Sequence, residues 1–163
     1  MKNLKKLLPP LLLCLVFLNC QRDDICPEVT EVTPLLIIEF YDDEDEETLT
    51  AVQGLLLQAI GEEDTLFGPV TTNRINIPLR TNENTTSYRF VRNSGTENEN
   101  VDTLSFSYNP SPEYLNRACG FIVSYLDMEV EIIDDEDNWI LTESVEQNDI
   151  INETEEAHIF LTH

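Results

Sequence analysis

Ser87-Tyr88-Arg89-Phe90-Val91-Arg92 and, beyond the turn signal Asn93-Ser94-Gly95, Thr103-Leu104-Ser105-Phe106-Ser107-Tyr108 are the two runs whose reading decides the fold. In each, polar and apolar side chains alternate with period two, which puts the aromatics on one face of a pleated strand. The same logic extends outward. Arg74-Ile75-Asn76-Ile77-Pro78-Leu79 alternates, and Leu35-Leu36-Ile37-Ile38-Glu39-Phe40-Tyr41 is a β-rich run opened by Pro34 and closed by acids. Phe121–Leu126 follows Gly120, with Val130-Glu131-Ile132-Ile133 expected to continue it; Trp139–Thr142 and Ala157–Leu161 read as the last strands. Asn82-Glu83-Asn84, Asn109-Pro110-Ser111-Pro112 and Asp134–Asn138 read as turns. Leu49–Ile60 is ambiguous: Leu49, Val52, Leu56 and Ala59 share a helical face, but Gly54 and Leu55-Leu56-Leu57 favour a strand. About seven to nine short strands predict an all-β chain, an antiparallel β-sandwich of immunoglobulin-like or similar build, with Pro34 and Pro78 at strand starts or edges.

Upstream lies an export signal. Lys2, Lys5 and Lys6 form a basic segment, and Leu11–Leu18 is an apolar core far shorter than the roughly 20 residues needed to span a bilayer. Phe17-Leu18-Asn19-Cys20, followed by the polar Gln21-Arg22-Asp23-Asp24, resembles a bacterial lipobox, in which the cysteine is acylated and the segment before it removed. Phe17 and Asn19 depart from the usual residues, so a simple secretory signal without lipid is the alternative. The expected organisation is a signal peptide over 1–19, a lipid-anchored tether over 20–33 and a single β-sandwich domain over 34–163.

The charge of the chain after its signal restricts its partners. Of nine basic residues three are the signal's lysines, so six arginines face 32 acidic residues and leave −26, against −23 for the whole chain. Such a surface repels phosphate backbones, and nucleic acid is excluded as a partner. Setting aside Cys14, inside the signal, and Cys20, two thiols remain, Cys26 and Cys119. Outside the cytoplasm an even remainder suggests a disulfide, with two separate buried thiols as the alternative. A bridge would close a loop of roughly 94 residues, worth about 4–5 kcal/mol on the chain-entropy account. It would also shorten the free tether to Gln21–Ile25, a reach of ~18 Å at most.

A family resemblance enters with particular residues. Cys20–Pro27, Thr33–Asp42, Ile77–Thr86, Arg117-Ala118-Cys119-Gly120-Phe121, and the closing Asn152-Glu153 and Glu156-Ala157-His158-Ile159 resemble an uncharacterised lipoprotein family of the Bacteroidota, domain of unknown function 6452. The resemblance implies that Cys26 and Cys119 belong to the family pattern, and it supplies no activity. The polar and acidic residues after Cys20 resemble that phylum's signal for cell-surface display, so an outer-membrane lipoprotein exposed at the surface is expected, with a periplasm-facing one as the alternative. Asp64-Thr65-Leu66 and Asp102-Thr103-Leu104 match the phylum's short O-glycosylation motif, with Thr65 and Thr103 as candidate acceptors.

Chemical constellations are weak. The acidic runs Asp42–Glu47 and Asp134–Asp137 supply hard oxygen ligands that would suit Ca²⁺, but lack the spacing of a cation loop and read as solvated turns. His158 falls in a predicted strand and His163 ends the chain, which is no zinc pattern. There is no G-x-S-x-G elbow and no Gly-rich phosphate loop. The expectation is therefore a non-enzymatic binding or structural module of the envelope, without cofactor or metal, held to the membrane through its N-terminal lipid. It would meet an envelope protein or a glycan, and a Ca²⁺-assisted carbohydrate-binding module is the alternative, with an envelope hydrolase less favoured. Most aromatics, Tyr88, Phe90, Phe106, Tyr108, Tyr114, Phe121 and Tyr125 among them, are assigned to the core, and Trp139 is the one to examine for exposure.

Overall fold

A computed structural model of the chain describes residues 25–27, 30–45, 47–62 and 64–163. Residues 1–19, read as the signal, together with Cys20 and residues 21–24, 28 and 29 of the expected tether, lie outside the described residues. The described residues divide into two compact units, Glu31–Tyr114 with Phe121–His163, and a smaller one in which residues 25–27 and 30 go with Leu115–Gly120.

Among the described residues the regular elements are nine strands: β1 (Leu36–Tyr41), β2 (Val52–Ala59), β3 (Thr65–Thr72), β4 (Arg74–Ile77), β5 (Thr85–Arg92), β6 (Asn100–Asn116), β7 (Gly120–Ile133), β8 (Thr142–Val145) and β9 (Ile159–Thr162). They form two sheets, ordered β4-β1-β9-β8 and β3-β2-β5-β6-β7, which is a β-sandwich. The ambiguous 49–60 stretch is the strand β2. One pair departs from the antiparallel expectation: β1 and β9 run parallel, Ile38 opposite Ile159 and Phe40 opposite Leu161. The alternation read from sequence fills the core. Leu36, Ile38, Phe40, Ile77, Ile159 and Leu161 of the first sheet face Leu55, Leu57, Phe90, Leu104 and Phe106 of the second, all buried. Each such side chain contributes on the order of 2 kcal/mol.

Two predicted boundaries are wrong for physical reasons. Asn109-Pro110-Ser111-Pro112 is not a turn but the continuation of β6. β5 ends its pairing at Thr85 opposite Ser107, and the Tyr108 amide makes the last bond on that side, to the Asn84 carbonyl (2.9 Å). Residues 110 and 112 share the parity of Tyr108, so the missing proline N–H groups fall on the side where β5 has already ended. Trp139–Thr142 is not a strand, because β8 begins only at Thr142. The Trp139 and Ile140 amides instead donate to Oδ2 of buried Asp102 (2.8 and 2.7 Å), and the indole N–H donates to the Phe90 carbonyl (3.1 Å). Trp139 is 2% exposed and belongs to the core, with the Arg92 guanidinium 5.3 Å from its ring centroid.

Buried phenols hold the segment after β4. Tyr88 Oη donates to the Pro78 carbonyl, Tyr125 Oη to Leu79 (3.0 Å) and Tyr108 Oη to Arg80 (2.8 Å). The Arg80 amide donates to Thr86 Oγ1 (2.9 Å), which lies 2.6 Å from Tyr108 Oη. With Tyr108 donating to Arg80, Thr86 must donate to Tyr108, and the four groups close a ring in which each donor has one acceptor.

Gly68 allows β2 and β3 to approach. Its φ is +94°, and a Cβ there would lie 2.1 Å from the Leu55 carbonyl oxygen. The hinge of β7 at Asp127 (φ 54°) explains why Phe121–Leu126 and Val130–Ile133 read as separate runs of one strand. His158 precedes β9: its amide donates to the Ile37 carbonyl (2.9 Å), and its Nδ1 accepts the Ile37 amide (3.0 Å). That geometry requires a neutral ring protonated at Nε2, and burial pushes its pKa below the usual histidine value.

In the other unit, Cys119 sits in the turn between β6 and β7, where Asn116 Oδ1 accepts the Ala118 and Cys119 amides (2.9 and 2.8 Å). Cys119 is joined to Cys26 by a disulfide, with a Cα–Cα separation of 4.9 Å.

Candidate functional site

The strand period that sends Leu36, Ile38 and Phe40 inward sends Glu39 and Tyr41 to the outer face of the first sheet. On β9 the same alternation buries Ile159 and Leu161 and turns Phe160 outward, and on β8 it presents Thr142 and Ser144, opposite Thr162 and Phe160. Tyr41 and Phe160 lie against each other with ring centroids 4.7 Å apart, both half-buried. A cavity of about 350 Å³ opens over them, lined also by Thr142, Ser144, Thr162 and Glu146. Phe160 and Glu146 also line a neighbouring hollow of about 490 Å³ with Glu39, Glu155 and Glu156. Together they make a shallow groove with an aromatic floor and an acidic, hydroxyl-bearing wall.

Its polar groups are partly fixed. Tyr41 Oη donates to Glu39 Oε2 (3.0 Å), and Arg74 Nη1 donates to Glu39 Oε1 (3.1 Å). Arg74 also donates to the Glu155 carbonyl. Burial, the hydrogen bond to Glu39, and the charges of Glu39 and Glu146 push the Tyr41 phenol above its usual pKa, so it stays a donor at neutral pH. Ser144 Oγ donates to Glu146 Oε1 (2.6 Å), and the hydroxyls of Thr142 and Thr162 are 2.8 Å apart. Glu146 Oε2 has no protein partner among the described residues. The arrangement can stack a flat apolar surface on Phe160 and Tyr41 while carboxylates and hydroxyls accept or donate at its rim.

The residues singled out from sequence lie elsewhere. Cys20 lies outside the described residues, and Cys26 and Cys119 are the disulfide. Thr65 is exposed at the start of β3, while Thr103 is half-buried on the outer face of β6, opposite Arg89. The acidic runs are turns capped by their own side chains: Asp42 Oδ1 accepts the Glu44 amide (2.9 Å), Asp45 Oδ2 the Thr48 hydroxyl (2.7 Å), and Asp135 Oδ1 the Asp137 amide (2.9 Å). Among the described residues no three His, Cys, Asp or Glu side chains converge as a metal site would require. Of the aromatics assigned to the core, Tyr114 and Phe121 are instead exposed, at 55% and 64%, and pack on each other. Sequence reasoning missed Tyr41 and Phe160, although the alternation on either side of each, Phe40 and Ile159-Leu161, already marked them as outward.

No curated protein and no solved structure matches the chain significantly. The family model that matches is that of a family of unknown function (DUF6452), over residues 50–163, which takes in every strand from β2 to β9, and the chain belongs to that family.

Proposed function

We propose that the chain is an envelope lipoprotein of the Bacteroidota type, acylated at Cys20 and held at the outer membrane facing outward, and that it serves there as a non-catalytic binding module. The lipobox-like Phe17–Cys20, the acidic residues after it and the disulfide support the address. The observation that carries the binding role is the outer-face groove, in which Tyr41 and Phe160 form an aromatic floor beside Thr142, Ser144, Thr162 and Glu146. Aromatic floor and hydroxyl-rich wall together suit a glycan: the apolar face of a sugar ring stacks while its hydroxyls meet fixed donors and acceptors. A phosphorylated or sulfated sugar would be repelled by the carboxylates.

The test has two arms. Binding to a panel of neutral glycans is measured with the wild type and with Tyr41→Ala and Phe160→Ala, each checked for an unchanged melting transition. Loss of binding in both variants supports the reading, whereas no binding by the wild type, or binding indifferent to both substitutions, removes it. Separately, Cys20→Ala should release the protein from the membrane fraction, and unchanged partition would defeat the anchor.

A further inference from the structure

A second surface runs along the side of the sandwich where β7 and β8 end their sheets. The free edge of β7 is occupied first by Ile150, which exchanges both backbone bonds with Tyr125 (2.9 and 2.7 Å), and by the Asn148 carbonyl, which accepts the Met128 amide (2.7 Å). From Glu129 to Ile132 that edge has no main-chain partner among the described residues. β8 faces it from the other sheet, and its own outer edge is unpaired among the described residues. The seam between them is open, as cavities of about 580 Å³ and about 330 Å³ that share Glu143. Its floor is apolar, because Val130, Ile132 and Val145 pack on the core from its margin.

The charges of this seam follow from register. Glu143 lies opposite buried Leu161, and Val145 opposite buried Ile159, so Glu143 stands on the core-facing side of an edge strand. On β7 the parity of Val130 and Ile132 is inward, which leaves Glu129 and Glu131 outward and exposed. Carboxylates so placed block pairing with a second copy of this chain, because β7 against β7 would set Glu129 and Glu131 beside like charges. They match a strand of opposite charge.

We infer that the β7–β8 seam accepts an extended basic segment of another protein, which adds to β7 as a further strand. Glu129–Ile132 offers about 13 Å of edge at strand rise. A segment alternating small apolar residues with Lys or Arg fits both sides at once. Its apolar side chains enter the seam over Val130, Ile132 and Val145, and its cationic side chains lie beside Glu129 and Glu131. Main-chain bonds give the affinity and the alternation gives the specificity.

The probe is a dye-labelled hexapeptide of alternating Val and Lys, titrated by fluorescence anisotropy into the disulfide-bonded protein at 0.15 M salt. Comparators are the same peptide N-methylated on the amides of one edge, and one with its valines and lysines in separate blocks. Binding of the alternating peptide should weaken at least tenfold on N-methylation, in the block sequence, and in the Glu129→Lys/Glu131→Lys protein. The reversed protein should instead take up the alternating Val and Glu peptide. Asp43→Lys/Glu44→Lys makes the same change of net charge in the β1–β2 turn and should leave binding within twofold. Equal loss in the two double variants, or equal binding of the N-methylated peptide, would reduce the interaction to diffuse charge attraction and overturn the proposal. So would self-association of the unliganded protein that Val130→Pro abolishes.

Discussion

Raising the pH should unfold this protein through its phenols. Tyr88 and Tyr125 are each pushed to about 12, by burial first and by neighbouring tyrosines second. In the unfolded chain they return to about 10. Because the folded value is the higher, their contribution is fully present below pH 10 and is lost as the pH rises from 10 towards 12. Two units each correspond to about 2.7 kcal/mol per phenol, hence about 5 kcal/mol for the pair. That compares with a total stability on the order of 5–15 kcal/mol for a domain. Tyr41 and Tyr108, also raised, add in the same direction. Residues 20–163 contain no lysine, and Cys26 and Cys119 are bonded, so few groups besides the tyrosines titrate in this window. Tyrosinate absorbance at 295 nm and far-ultraviolet circular dichroism, followed together from pH 8 to 12.5 on protein lacking residues 1–19, should show a cooperative loss of sheet that coincides with ionisation of the buried phenols. Tyr125→Phe should lower stability at pH 8 by about 1 kcal/mol through the lost bond to Leu79, and should flatten the alkaline slope. Ionisation of the buried phenols below pH 10.5 with the sheet signal intact would show that they are open to water, and the account of the 78–80 clamp would fall.

Other perturbations separate the remaining claims. Gly68→Ala should cost about 3 kcal/mol or more in urea melts, since its Cβ meets the Leu55 carbonyl at 2.1 Å and φ is +94°; a cost under 1 kcal/mol would mean β2 and β3 are not so close. His158 is held neutral with a lowered pKa, so its stabilisation is present above pH 6.5 and is lost as the pH falls through its folded value. His158→Asn should melt lower at pH 7.5 and show a flatter profile down to pH 5, and an unchanged slope would contradict the Ile37 contact. Asp102→Ala should lose about 2–4 kcal/mol by stranding the Trp139 and Ile140 amides, whereas Asp102→Asn, an acceptor without the buried charge, should stay within about 1 kcal/mol of wild type; equal losses would deny that the two amides matter. Cys119→Ser should cost up to about 4 kcal/mol, since the bridge spans 93 residues, and an unchanged melting temperature would remove the entropic argument.

Period-two alternation made the core legible, because a strand has one choice of which face to bury: Tyr88, Phe90, Leu104, Phe106 and Tyr108 all lie inside. Where it failed, a non-local partner had overruled local pattern. Pro110 and Pro112 look like a turn until β5 is known to stop opposite Ser107. Trp139-Ile140 looks like a strand until Asp102, 37 residues away, takes both amides. β3, with Gly68-Pro69 inside it and largely exposed side chains, has no alternation to read and was not foreseen. The groove was half legible: Tyr41 and Phe160 could be placed outward one strand at a time, but only the parallel pairing of β1 with β9 sets them side by side.

The motifs that carry the family resemblance bear on where binding should be sought. Ile77–Thr86 supplies the carbonyls of Pro78, Leu79 and Arg80 and the Thr86 hydroxyl, all consumed by Tyr88, Tyr125 and Tyr108. Arg80 spends its guanidinium on Glu83 and the Ile60 carbonyl. His158 has Nδ1 committed to the Ile37 amide, and Cys119 is in the disulfide. Groups whose hydrogen-bonding capacity is already taken up inside the protein have little left to offer a ligand, so Ile77–Thr86, His158 and Cys119 encode the fold, whereas Thr33–Asp42 also carries Tyr41 of the groove. The capacity that remains open lies on Glu146, on the faces of Tyr41 and Phe160, and along the edge from Glu129 to Ile132. Two chains sharing the fold-encoding segments would thus be expected to share the sandwich, while their ligands would be set at the groove and the seam. That expectation is checkable by exchange: grafting Tyr41, Ser144, Glu146 and Phe160 onto another member of the family should transfer glycan preference without moving its melting temperature by more than a few degrees. A graft that folds but leaves the preference of the recipient unchanged would place the recognition surface elsewhere.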